Sequence, residues 1–153
     1  MPAEIHVVLA VDPGLVTGFS RLYRATGYEG SWEMGHESFM DWATACIVQW
    51  GPSLCVVSER YTVQSGRVGT PEWSIGQHYM LEQLCRQHHA TFAPQTPADA
   101  KTFATNALLK EVGWWTVGGA GHARDAARHL LLYAARQGWY KGRGVVDASA
   151  GVR

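Results

Sequence analysis

The chain has 153 residues, 46% hydrophobic and 17% charged, which makes one domain with enough apolar residues for a single core. No stretch is long and apolar enough to span a membrane, and Met1 to Ala10 lacks a basic start and a small-residue cleavage site, so a cytosolic protein is expected. Formal net charge is zero, yet residues 1 to 59 carry seven acids against two arginines and residues 60 to 153 carry eleven Lys and Arg against six acids. If some of those acids hold a cation, a partner meets a more basic surface than the total implies; random scatter of charge is the alternative reading.

The first element is the run Val7, Val8, Leu9, Ala10, Val11, which has the composition of a central strand buried on both faces. It ends in Asp12, and Pro13-Gly14 turns the chain into a return strand from Val16 that continues to Tyr23. Alone, an Asp-Pro-Gly turn carries no function. Gly27 to Gly30 reads as the next turn and Ser31 to His36 as a third, edge strand. Phe39 to Trp50 has apolar residues at helical spacing and is closed by Gly51-Pro52. Leu54 to Ser58 is a second short apolar strand, and it too runs into an acid, Glu59.

Thr62 to Gly69 is polar and glycine-interrupted and reads as a mobile loop. Thr70 then caps a helix with Pro71 at its first position, running to about His89. Thr91 to Ala93 is a brief strand stopped by Pro94. Pro97 to Val112 reads as one helix carrying Lys101 and Lys110, and Gly113 to Gly121 is a Trp- and Gly-rich loop. The last helix, His122 to Gln137, can pack on the sheet through Ala123, Ala126, Ala127, Leu130 and Ala134. Residues 1–138 thus form the domain, and 139–153 a patternless C-terminal tail. Cys46, Cys55 and Cys85 are odd in number, lack metal-ligand spacing, and are expected as reduced, buried thiols.

Strands alternating with helices in the second half imply right-handed parallel crossovers, which lay the first and fourth strands side by side. Asp12 and Glu59 then become neighbours. His122 and Asp125, three apart at the start of the last helix, share a face of it. Three carboxylates and an imidazole at one sheet edge repel unless a cation sits among them, and oxygen-rich ligation suits magnesium or manganese. Taken singly, Asp125 is a helix-start acid and His122 a surface residue; their joint placement gives them weight.

In VDPGLVTGFS, VVSERY, SIGQ, APQTPADAK and GHARDAARHLL, in that order across residues 5 to 137, the chain resembles the RuvC-type Holliday junction resolvases of the RNase H-like nuclease superfamily. The resemblance implies an α/β fold, an RNase H-like five-stranded mixed sheet with the second strand antiparallel, flanked by helices. It also implies a bacterial or phage origin and Asp12, Glu59, His122 and Asp125 as catalytic metal ligands of a two-metal magnesium or manganese site. Candidate DNA contacts are Arg60, Tyr61 and Arg67 after the fourth strand, with Lys101 and Lys110 beyond. Many family members carry an acid where His122 stands, which bears on metal preference. Tyr61 is the candidate for the aromatic side chain inserted at the junction; the other reading is a tyrosine packed on its own domain.

The reaction implied is metal-assisted phosphodiester hydrolysis leaving a 5′ phosphate, without a covalent intermediate. A nuclease of the same fold acting on flaps or RNA–DNA hybrids, and a non-catalytic DNA-binding module, are the competing readings. A sugar-kinase-like ATPase would need a second domain, for which 153 residues leave no room. The partner expected is a four-way DNA junction, met by a homodimer. In the Pro71 to His89 helix, Trp73, Met80, Leu81, Leu84 and Cys85 form one apolar face for the sheet, and Ile75 and Tyr79 an opposite one for a second subunit.

Overall fold

Successive strand residues point to opposite faces of a sheet, and the central strand uses both. In the computed structural model, which describes residues 2–61, 72–119 and 121–140, β1 (Val7–Asp12) is buried throughout. Val7, Leu9 and Val11 enter one apolar cluster and Val8 and Ala10 the other. β2 (Val16–Tyr23), β3 (Gly27–Gly35), β4 (Leu54–Glu59) and β5 (Thr91–Gln95) complete a five-stranded sheet in the order β3-β2-β1-β4-β5. β2 runs antiparallel to β1 and β3, whereas β1, β4 and β5 are parallel. This is the expected mixed sheet with its second strand reversed.

α1 (His36–Trp50) and α2 (Glu72–Gln87) cover the Val7 face, through residues such as Phe39, Ile47, Leu81 and Cys85. α5 (His122–Arg136) lies across the Val8 face, and α4 (Asn106–Val112) adds Leu109 to the same cluster. Each fully buried Val, Leu or Phe in these clusters contributes roughly 1.5–3 kcal/mol of transfer free energy. The three cysteines are free and buried, as composition led one to expect.

Several boundaries differ from the sequence reading. The turn between β2 and β3 is at residues 24–26, and Gly27 to Gly30 belongs to the strand, because Tyr23 pairs with Gly27 and a bulge at Arg21/Leu22 keeps the hairpin in register. Pro97 to Val112 is two helices, α3 (Pro97–Phe103) and α4. The break has a local cause: the Thr105 side chain accepts the Leu108 N–H and starts a new helix. Arg128 of α5 also donates to the Ala104 carbonyl that the break exposes, at 2.6 Å. Trp139, placed in the tail by sequence, is buried beneath the Arg24 guanidinium, 3.7 Å from its ring centroid.

The apolar face expected on α2 is also divided. Leu81 and Cys85 are buried, but Trp73 and Met80 are exposed. Polar residues take the inward positions instead. Ser74 Oγ donates to the Pro13 carbonyl at 2.8 Å, and Gln77 Oε1 accepts the Gly14 N–H at 2.9 Å. Those bonds fix the rotation of α2 about its axis.

Candidate active site

The alternation that builds the core also aims the acids. On β1, Val8, Ala10 and Asp12 share the α5 face; on β4, Cys55, Val57 and Glu59 do. Val11 pairs with Ser58 across the parallel ladder, so the two carboxylates leave adjacent strand ends side by side. Ser58, one residue out of phase, points to the other face and meets His78 Nδ1 of α2 at 2.8 Å.

α5 reaches Asp12 because of a glycine. Asp12 pairs with Gly18 on β2, and a Cβ at Gly18 would lie 2.0 Å from the His122 carbonyl oxygen. Glycine in a strand interior is the residue that permits such an approach. Glu33 of β3 completes the seat: its Oε1 accepts the N–H of His122 at 3.1 Å and of Ala123 at 3.3 Å. An acid at that position also complements the helix dipole. His122 Nδ1 then lies 2.9 Å from Asp12 Oδ2.

Glu59 has its own imidazole. His129, one helical turn beyond Asp125, is buried with Nε2 3.7 Å from Glu59 Oε1. Its Nδ1 is 2.9 Å from Oε1 of Gln95, the residue that pairs with Glu59 on β5. Tyr61 turns its hydroxyl inward, 3.1 Å from Asp12 Oδ1 and 3.2 Å from Glu59 Oε2.

Asp12 and Glu59 are 2% and 3% exposed, and their titrations are driven apart. Burial, then the Glu59 carboxylate and the charge of Asp125, push Asp12 up to about 9, with the Tyr61 hydroxyl offsetting part. Burial would raise Glu59 too, but the His129 ring and the Asp12 carboxyl outweigh it and draw Glu59 down to about 2. Of the two carboxyls, Asp12 is thus the one whose surroundings favour the protonated form and Glu59 the one whose surroundings favour the charged form. A divalent cation with oxygen ligands would supply at this place the counter-charge that two buried carboxyls call for.

Asp12 thus meets His122 directly and stands beside Glu59 at the adjacent strand end. Asp125 contributes its charge to the Asp12 environment, while its Oδ1 accepts from Arg128 Nε at 3.3 Å. Among the described residues, no three His, Cys, Asp or Glu side chains are gathered closely enough to cage a metal ion as they stand. Arg60 lines a groove of about 480 Å³ with Tyr79, Arg86 and Phe92. Lys101 and Lys110 are exposed on α3 and α4, Ile75 is half-buried and Tyr79 exposed on α2. Arg67 and the 62–69 segment lie outside the described residues.

Sequence reasoning passed over Glu33, Gln95, His129 as a partner of Glu59, and the roles of Ser74 and Gln77. Gln77 Nε2 also donates to Thr17 Oγ1 at 2.9 Å and lies 3.0 Å from His36 Nδ1. The Gly18 signal was available, because a glycine inside a strand pattern marks close backbone approach. Glu33 sits on an edge strand of mixed polarity, where nothing local distinguishes it.

No family model matches the sequence, and no curated protein matches it. Among solved structures, T. thermophilus RuvC in complex with a Holliday junction substrate aligns at a TM-score of 0.64 and 14% identity, over 86% of this chain and 96% of that one. Thermus thermophilus RuvC aligns at a TM-score of 0.59 with the same identity and coverage of 86% and 96%. The fowlpox virus Holliday junction resolvase aligns at 0.52 and 10% identity, over 83% of this chain and 97% of that one. The fold is that of the RuvC-type resolvases.

Proposed function

We propose that this chain is a structure-selective endonuclease that resolves four-way DNA junctions by divalent-metal-dependent phosphodiester hydrolysis, leaving 5′ phosphates, in a bacterial or phage-infected cytoplasm. The observation that carries the reading is the Asp12 and Glu59 pair, buried at adjacent strand ends under the start of α5, on a fold shared with junction resolvases. Burying two acids together is costly. A site that keeps them is one that uses their charge.

Asp12, Glu59 and His122 would hold magnesium or manganese, with Asp125 joining once it leaves Arg128. Bound there, two such ions would supply an acidified water and charge neutralisation at the leaving 3′ oxygen. The chain's own part is orientation: β1 and β4 fix the carboxylates, His129 and Gln95 fix Glu59, and Glu33 fixes the helix start that carries His122. Arg60, Arg67, Lys101 and Lys110 are proposed to contact DNA phosphates, and Tyr61 to leave the acid pair when DNA or metal enters. A homodimer would offer two such sites to the two-fold symmetry of a junction.

The test is incubation of the protein with labelled four-way, flap and RNA–DNA hybrid substrates in manganese, beside Asp12→Asn. Paired incisions in the junction, abolished in the variant, are expected. Faster cutting of flaps or hybrids would move the protein to another nuclease class on this fold, and binding without cutting to a non-catalytic module.

A further inference from the structure

Among the described residues, Arg21 pairs with Glu29, Arg86 with Glu82, Arg128 with Asp125 and Arg136 with Asp99. Lys110 and Arg124 do something different. Lys110 Nζ lies 4.6 Å and Arg124 Cζ 4.9 Å from the centroid of the Trp115 ring. One indole thereby contacts two cations, its π-system attracting each.

The platform is anchored on three sides. Arg124 Nη1 donates to the carbonyls of Thr116 and Gly118, at 3.1 and 3.0 Å, which binds the 113–119 loop to α5. Trp114 is buried and stacked on Tyr28, with centroids 4.4 Å apart and planes 13° from parallel. Trp115 itself packs against the cluster under α5. Arg124 stands between His122 and Asp125 in the first turn of α5, and Lys110 in the last turn of α4. The turn of α5 that carries Arg124 is thus the one whose His122 reaches Asp12.

We propose that Lys110, Trp115 and Arg124 form a phosphate clamp that grips the DNA backbone at the start of α5, an inference that rests on the nuclease reading above. A guanidinium fork and an ammonium held on one ring are both donors that phosphate oxygens accept from. Trp115 acts through them, as the residue that keeps both side chains extended over one ring instead of swinging in solvent. Arg124 and Trp115 are thus DNA-binding residues that charge counting alone would rank with any other surface side chain.

The experiment is the dissociation constant of a labelled four-way junction, in EDTA so that nothing is cut, across about 50 to 200 mM salt. Lys110→Gln and Arg124→Gln should each weaken binding and lower the slope of log affinity against log salt by about one. Trp115→Leu, which keeps an apolar contact with the cluster, should lower it by about one or more, and Arg124→Lys should restore most of it. Wild-type slopes in Lys110→Gln and Arg124→Gln would overturn the clamp while leaving the nuclease reading standing. Weaker binding at unchanged slope would make Trp115 a platform for a splayed base and overturn it as well. Arg124→Lys behaving like Arg124→Gln would show a loop-folding effect, against the clamp. A wild-type protein that binds no DNA would overturn both readings.

Discussion

A carboxyl buried beside a second carboxyl keeps its proton to a pH at which exposed aspartates have lost theirs. With Asp12 raised from 3.8 to about 9, the folded protein binds a proton that the unfolded chain has released, so stability is fully present below the unfolded value and falls as pH rises toward the folded one. Glu59, lowered from 4.5 to about 2, works the other way, adding stability as pH climbs between those values. Thermal melting in EDTA should therefore peak near about pH 5 and decline toward pH 9, and Asp12→Asn should flatten the decline. A wild-type melting temperature that stays level over that range would mean the pair shares no proton. Asp125→Asn should cut cleavage at least about tenfold while junction affinity changes little, since affinity comes mainly from cations on phosphates; activity near wild type would remove Asp125 from the site. Imidazole is a poor ligand for magnesium and a better one for manganese, so manganese should give the faster turnover and His122→Asp should narrow the gap. Equal wild-type rates in both metals would place His122 outside the coordination shell.

What a single residue does here depends on how closely two elements approach. Gly18→Ala would put a methyl 2.0 Å from the His122 carbonyl, a clash with backbone that no rotamer relieves. Overpacking of this kind costs roughly 1–3 kcal/mol or more, and the start of α5 should lift from Asp12. A melting temperature lowered by several degrees, with cleavage reduced more than junction binding, is the expected result; unchanged cleavage would mean that the helix seat does not position His122. The strands were legible because β1 and β4 are unbroken apolar runs ending in acids, and the same alternation that buries Val57 aims Glu59. α5 was legible through its small, regularly spaced alanines. The α3/α4 break was not, since Thr105 and Arg128 end the first helix through contacts that helical periodicity does not register. Nor was the orientation of α2, whose inward line is set by polar bonds from Ser74 and Gln77 to the turn after β1 rather than by its apolar residues. Those bonds also say what the SIGQ stretch is for. It holds the Pro13-Gly14 turn, and with it the end of β1, in place.

At the scale of the molecule, the rotation of α2 leaves large side chains uncovered among the described residues. Trp73 is 57%, Met80 49% and Tyr79 61% exposed. Trp73 and Met80 lie two turns apart on one flank, near His36, while Tyr79 and the half-buried Ile75 lie on the other. Isolated exposed apolar residues are ordinary, but a helix with large exposed side chains on both flanks presents a strip of the kind that meets a partner. A two-fold axis along this strip would pair the same residues from each copy, as an isologous interface requires, and would set two carboxylate sites for the two opposed strands of a junction. The interface proposed at Ile75 and Tyr79 would therefore extend to Trp73 and Met80, and the four define the test. Tyr79→Glu combined with Trp73→Glu would bury like charges against their own copies across the axis. That double variant should sediment at half the wild-type mass while melting within a few degrees of it, because neither side chain supports the core. Its incisions should become single nicks on one strand, in place of symmetric pairs. A wild-type chain that sediments as a monomer at micromolar concentration, yet still cuts both strands of a junction in pairs, would place the symmetry of cleavage outside this helix.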